Sequence, residues 1–152
     1  MRPSLGGRSV VAPSMHTVGM PSDDQTAAIR ATMPFASLLG VEVVANEPDE
    51  VRARLAWDPS RCTTGGALHG GALMGLADTV GGMAAFLNLP EGAAGTTTIE
   101  SKTNFLRGVT GGTIEAATRP LHAGRRFVVV ETDVVNDAGK RVARVTQTQA
   151  VL

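Results

Sequence analysis

The spacing of apolar residues along this 152-residue chain changes period twice, and each change marks a change of element. Near the front, Ser22 or Asp23 can cap a helix through DQTAAIRATM, which Pro34 is expected to end. MPFASLLG leads into VEVVA (41–45), an apolar run that reads as a strand, and NEPDE follows as a turn. From 51 to 57 the pattern alternates, with Val51, Ala53, Leu55 and Trp57 on one side and Arg52 and Arg54 on the other. That is the mark of a half-buried strand. After the loop RCTTGG comes HGGALMGLADTVGGMAAFLNL, apolar around its whole circumference and ending near Asn88, before Pro90. Such a helix must be buried on most of its surface.

Beyond Gly95 the short period returns. TTTIESKTNFL, GTIEAATRPL, RFVVVETDVV and KRVARVTQTQAVL read as four strands separated by turn chemistry at GVTGG, HAG and NDAG. Short turns predict consecutive antiparallel neighbours, a meander. The economical architecture is an α+β domain over 23–152: one strongly curved antiparallel sheet wrapped around the long helix. Residues 1–22 hold Arg2, Arg8 and three prolines but no acid. They match no targeting peptide and are expected to form a disordered tail, or to follow from a start codon placed too early.

Asp78 is the only charge between His69 and Glu91. On a helical wheel its neighbours are Met74, Gly75, Gly81 and Gly82, so the acid sits on a stripe of very small residues. Gly75, Gly81 and Gly82 together concede about 3 kcal/mol of helix stability relative to alanine. Something must approach that face closely, either another backbone or a ligand.

Composition narrows the chemistry. Zero formal net charge argues against a general nucleic-acid binder. Residues 101–152 nevertheless carry eight of the fourteen Lys and Arg but four of the fourteen Asp and Glu. That basic half suits either an anionic ligand or a solvated sheet face. The single cysteine, Cys62, excludes an internal disulfide and points to a reducing, cytoplasmic compartment. It reads as a packing residue rather than a nucleophile. His16, His69 and His122 show no ligand spacing, so no metal is expected. The 70–87 stretch is interrupted by five glycines and Asp78, and no membrane partner is expected.

With these residues in view, the chain resembles the hotdog-fold acyl-CoA thioesterases, of the phenylacetate-pathway type and its mammalian relatives. LHGGALMGLAD (68–78), the Thr/Gly loop before it and TTTIESKTNFLRGV (96–109) carry the likeness, which extends over about 34–152. The resemblance implies that Asp78 is the catalytic carboxylate and that the Gly70 N–H is the oxyanion donor. It implies that Thr98 helps to orient water, that coenzyme A enters as part of the substrate rather than as a cofactor, and that the protein is a homodimer or homotetramer with shared sites. The family usually carries Asn or Gln six residues before the histidine; Thr63 stands there instead. A threonine hydroxyl can also donate.

Elementary geometry sharpens these implications. Gly70 and Gly71 at a helix start offer free N–H groups and the positive end of the dipole. Eight residues separate Gly70 from Asp78, about 12 Å along a helix axis. One thioester carbonyl cannot meet both on the same helix, and His69 lies on the opposite side of the wheel from Asp78. If the resemblance holds, the acid and the oxyanion donor are therefore expected to come from two chains of a dimer. His69 reads as a loop-positioning residue. Arg107, Arg125 and Arg126 are the candidates for coenzyme A phosphates, with Arg125 and Arg126 on opposite faces of a strand. Phe35, Phe86 and Phe105 fit an acyl pocket or simply the core. Two other readings stay open: a non-catalytic acyl-CoA-binding module, which the Thr63 departure favours, and a hydratase, which would want a His–acid pair that the chain does not offer.

Overall fold

The structure is a computed structural model, and it describes residues 22–152. The expected tail over 1–22 lies outside the described residues except for Ser22, which opens the first helix. That helix, α1 (Ser22–Thr32), is followed by α2 (Pro34–Leu39), β1 (Glu42–Asn46) and β2 (Val51–Ala56). A 3-10 turn over Pro59–Arg61 then leads to α3 (Gly70–Leu87). Four strands complete the chain: β3 (Thr96–Phe105), β4 (Thr113–Ala123), β5 (Phe127–Asn136) and β6 (Arg141–Val151). Pro34 ends one helix as expected, but it also begins another. Met33 is held extended (φ −121°, ψ 90°) ahead of the ring, and Pro34 takes the first position of α2, where its missing N–H is harmless.

All six strands form one antiparallel sheet in the order β1-β2-β4-β5-β6-β3. The expected meander is therefore wrong for one strand. β4, β5 and β6 are consecutive neighbours, but β3 pairs with β6 at the far edge while β4 lies against β2. The connection over 106–112 has turn chemistry yet does not close a hairpin, because its backbone groups are bonded elsewhere. Leu68 donates to Val109 O (2.7 Å), Trp57 to Gly112 O (2.8 Å) and Leu106 to Val142 O (2.9 Å).

The core lies between α3 and the concave face. Leu73, Leu76, Val80, Met83 and Ala84 of α3 are buried against Leu55, Ile114, Val128, Val130 and Ala143. Each large side chain so buried contributes about 1.5–3 kcal/mol. The convex face is polar. Arg52 and Arg54 meet Glu115, Arg119 meets Glu50, and Arg141 and Arg144 converge on Asp133. Hydrogen bonds and charge from Arg144, joined by Arg141, hold the Asp133 carboxyl below the usual carboxylate range. Much of the basic excess in the second half is thus paired on this face.

The two sheet edges differ. β1 is short, carries a bulge, and is covered by α1, where Val43 donates to Thr26 Oγ1 (2.8 Å) and Arg30 Nε to Val41 O (2.8 Å). β3 is long and largely exposed. It too has a bulge: Thr98 lies opposite Gln149 and Glu100 opposite Thr148, which leaves Ile99 unpaired. Ser101 then lies opposite Gln147, and Phe105 opposite Ala143. Directly opposite residues share a face. Thr98 and Phe105 are an odd number of residues apart, so both reach the inner face only because of the extra residue.

Candidate active site

His69 caps α3. Its Nδ1 accepts the Gly71 N–H at 2.8 Å, and its own N–H donates to Arg61 O at 2.8 Å. An acceptor at Nδ1 requires the proton on Nε2, so the cap fixes the tautomer of the ring. The expectation of two free N–H groups is thereby reduced to one. Gly71 is satisfied by His69, whereas Gly70, the first helical residue, has no intrahelical acceptor and meets none among the described residues. Gly70 opens on a cavity of about 420 Å³ lined by Leu68, Leu73, Phe105, Arg107 and Gly108. A methyl group on Gly70 would lie 2.9 Å from the Phe105 ring. Arg107 is held beside this cavity by donating to Arg141 O at 2.9 Å.

Two turns further along α3, Asp78 is exposed on the chain alone and opens on a second cavity of about 500 Å³. Met33, Pro34, Phe35, Gly82, Thr98 and Gln149 help to line it. The carboxylate is held on one oxygen. Thr98 Oγ1 donates to Oδ1 at 2.9 Å and Gln147 Nε2 donates to the same atom at 2.8 Å. Gln149 Nε2 in turn donates to Thr98 Oγ1 at 2.7 Å. Thr98 has one proton, and it is directed to the acid.

The glycine stripe now has an account. A methyl on Gly75 would lie 2.8 Å from the Phe35 ring of α2, and one on Gly81 would overlap the Gln147 amide oxygen. Gly82 has open space beside it, on the acid's cavity. Close packing explains the first two, and the third leaves room next to the carboxylate.

The remaining candidates separate. Thr63 sits in an exposed turn closed by its N–H to Ala67 O, and it lines neither cavity. Arg125 and Arg126 do not lie on a strand with alternating faces, as expected, but in the turn between β4 and β5. They are exposed and line neither cavity. Cys62 is half-buried, with Sγ directed to Asp58 O at 3.3 Å. Phe35 and Phe105 each line a cavity, one at the acid and one at Gly70; Phe86 lines neither. No group of acids, histidines and cysteine among the described residues could hold a metal.

Sequence reasoning missed Gln147 and Gln149, which are 0% and 1% exposed. A signal for them existed. Val145, Gln147 and Gln149 continue the inward phase of β6, and a polar side chain on a core phase needs a buried partner.

Comparison with known proteins identifies the family. Residues 65–143 fit the family model of the thioesterase superfamily. The protein Rv1847 of Mycobacterium tuberculosis is 32% identical over 126 residues, covering 82% of this chain and 90% of that one. The 1,4-dihydroxy-2-naphthoyl-CoA hydrolase of Escherichia coli is 29% identical over 104 residues, 68% of this chain and 76% of that one. A thioesterase of Pseudomonas aeruginosa, solved as a mutant, superposes with a TM-score of 0.79 at 29% identity, covering 88% of this chain and 95% of that one. The chain belongs to the thioesterase superfamily and is a hotdog-fold thioester hydrolase.

Proposed function

We propose that the protein hydrolyses a small or medium acyl-CoA, in the manner of the phenylacetate-pathway type, at sites shared between two copies of the chain. One observation carries this reading: Asp78 and the unpartnered Gly70 N–H belong to one regular helix but open on cavities with no lining residue in common. Each chain thus holds two half-sites. The bare β3 edge supplies the means of joining them. If two copies pair antiparallel along β3 about a two-fold axis at Lys102, Ser101 of one lies opposite Thr103 of the other, and with Ile99 bulged out of the register Phe105 lies opposite Thr98. Phe105 packs on Gly70, and Thr98 donates to Asp78. The pairing therefore brings the Gly70 end of one helix to the Asp78 end of its neighbour.

In such a site the thioester carbonyl accepts the Gly70 N–H, and Asp78 takes a proton from water as the water oxygen attacks the carbonyl carbon. The tetrahedral intermediate collapses, the C–S bond breaks, and the thiolate of coenzyme A recovers the proton from Asp78. Direct attack by Asp78 to form an anhydride is the variant of this scheme. Arg107 stands beside the Gly70 cavity, where an anionic part of coenzyme A would pass. The naphthoyl-CoA substrate in the name of the E. coli relative, and the open space beside Gly82, favour an aromatic acyl group within that range. No separate cofactor enters this scheme, and a cytoplasmic location suits it. Thiol release from benzoyl-CoA and hexanoyl-CoA, by wild type and Asp78→Asn, tests the reading. Turnover abolished by the substitution in a folded protein supports it; binding without turnover, or turnover that survives, overturns it.

A further inference from the structure

We infer that Gln147 and Gln149 are positioning residues that commit Asp78 Oδ1 to the protein and leave Oδ2 as the single reacting oxygen. The inference rests on the reading of Asp78 as the reacting carboxylate. A carboxylate oxygen has two lone-pair directions. Both on Oδ1 are filled, one by Gln147 Nε2 at 2.8 Å and one by Thr98 Oγ1 at 2.9 Å, while no donor among the described residues meets Oδ2. The acid can neither rotate nor exchange its oxygens without breaking two bonds.

Thr98 could in principle turn its proton toward Gln149 instead. The amide of Gln149 prevents this by presenting Nε2 to Thr98 at 2.7 Å, which leaves the hydroxyl proton no role but donation to Asp78. At the other end of that amide Thr96 Oγ1, which donates to Ala150 O at 2.9 Å, lies 3.5 Å from Oε1. A directed relay thus runs from Gln149 through Thr98 to the acid.

Structural need alone does not explain Gln147. Its Oε1 is buried without a partner, and its amide fits only because residue 81 is a glycine in the middle of a helix. A leucine or methionine at 147 would continue the inward phase of β6 with no orphaned acceptor. Two locally unfavourable choices converge on one hydrogen bond to one oxygen.

The test is steady-state hydrolysis of benzoyl-CoA and hexanoyl-CoA by the full chain and its variants, with melting curves for each. Gln147→Met is expected to lower kcat about ten-fold with KM unchanged within about two-fold, since the lost bond serves the reacting acid rather than substrate affinity. Gln149→Met is expected to lower kcat about five-fold alone but not in a Thr98→Val background, because it acts through Thr98. Equal effects in both backgrounds, or an unchanged kcat for Gln147→Met, overturn the inference. If Gln147→Met does not fold, Gln147→Glu replaces it. Its neutral acid can donate as the amide does, so its kcat relative to wild type should rise as pH falls from 8 to 5, and a flat ratio overturns the inference. Full activity in Asp78→Asn, or none in wild type, sinks the underlying reading itself. Collapse in Asp78→Asn with normal Gln147 and Gln149 variants sinks the inference alone.

Discussion

The two ends of α3 offer different kinds of group to the proposed reaction. At Gly70 the functional group is a backbone N–H, present because a helix start leaves it unpaired and because His69 satisfies Gly71 but not Gly70. At Asp78 it is a side chain, held by three other side chains from two strands. Any cap would leave a donor at the first end, whereas the second needs particular residues at four positions. The lesson is that polarising a carbonyl requires little more than the geometry of a helix, while aiming an acid requires a built environment.

The comparison breaks most completely at its most demanding point. Asp78→Asn keeps both donors but loses the base, and kcat should fall about 10³-fold in a thiol-release assay. The other end can be attacked as cleanly. Gly70 is at the first helical position and His69 is already extended (φ −66°, ψ 135°), so proline fits there and deletes only the N–H once the exposed Phe105 ring gives way. Gly70→Pro should lower kcat about 10²-fold with helicity by circular dichroism intact.

Mixing the two inactive proteins sharpens the contrast. If each site draws one end from each chain, random re-pairing should restore about one quarter of wild-type activity, since half of the dimers carry one intact site of two. No recovery after verified subunit exchange would show that both ends serve the same chain's site. A smaller effect is expected from Gly81→Ala, whose methyl group overlaps the Gln147 amide. It should cost about 1–3 kcal/mol of stability and several-fold in kcat, read by thermal melts beside turnover.

The smallest change is the control away from both ends. Asp133 is held in its charged form by Arg144 and Arg141, so its folded pKa is depressed. The stability it contributes is present above the ordinary carboxylate pKa, about 4, and is lost as pH falls through its lower folded value. Asp133→Asn should melt about 3 °C below wild type at pH 7, the gap closing toward pH 2, with turnover at pH 7 unchanged.

The Gly70 end was legible in the sequence because it depends on local rules. The glycine pair and the rise per residue lie within HGGALMGLAD, and the same rise separates Gly70 from Asp78, although the His69 cap that takes up the Gly71 N–H was not read there. The surroundings of Asp78 were only half legible. Thr98 follows from resemblance, but Gln147 and Gln149 arrive through pairing between β3 and β6, which no local pattern encodes. The misplacement of β3 has the same origin. GVTGG has the composition of a turn, and only the long-range bonds at Val109 and Gly112 show that it does not close one. α2 escaped notice because six residues are too few to establish a period.

The unpaired Ile99 acts as a dislocation in β3. On one side of it even-numbered residues belong to the interior, and on the other side odd-numbered ones do. Deleting that single residue would leave the strand's composition almost untouched and its edge still available for pairing. It would also join the two runs into one uninterrupted alternation, in which the companion of Asp78 and the companion of Gly70 could no longer face inward together. One strand reaches both ends of α3 because its own regularity is broken once, between them.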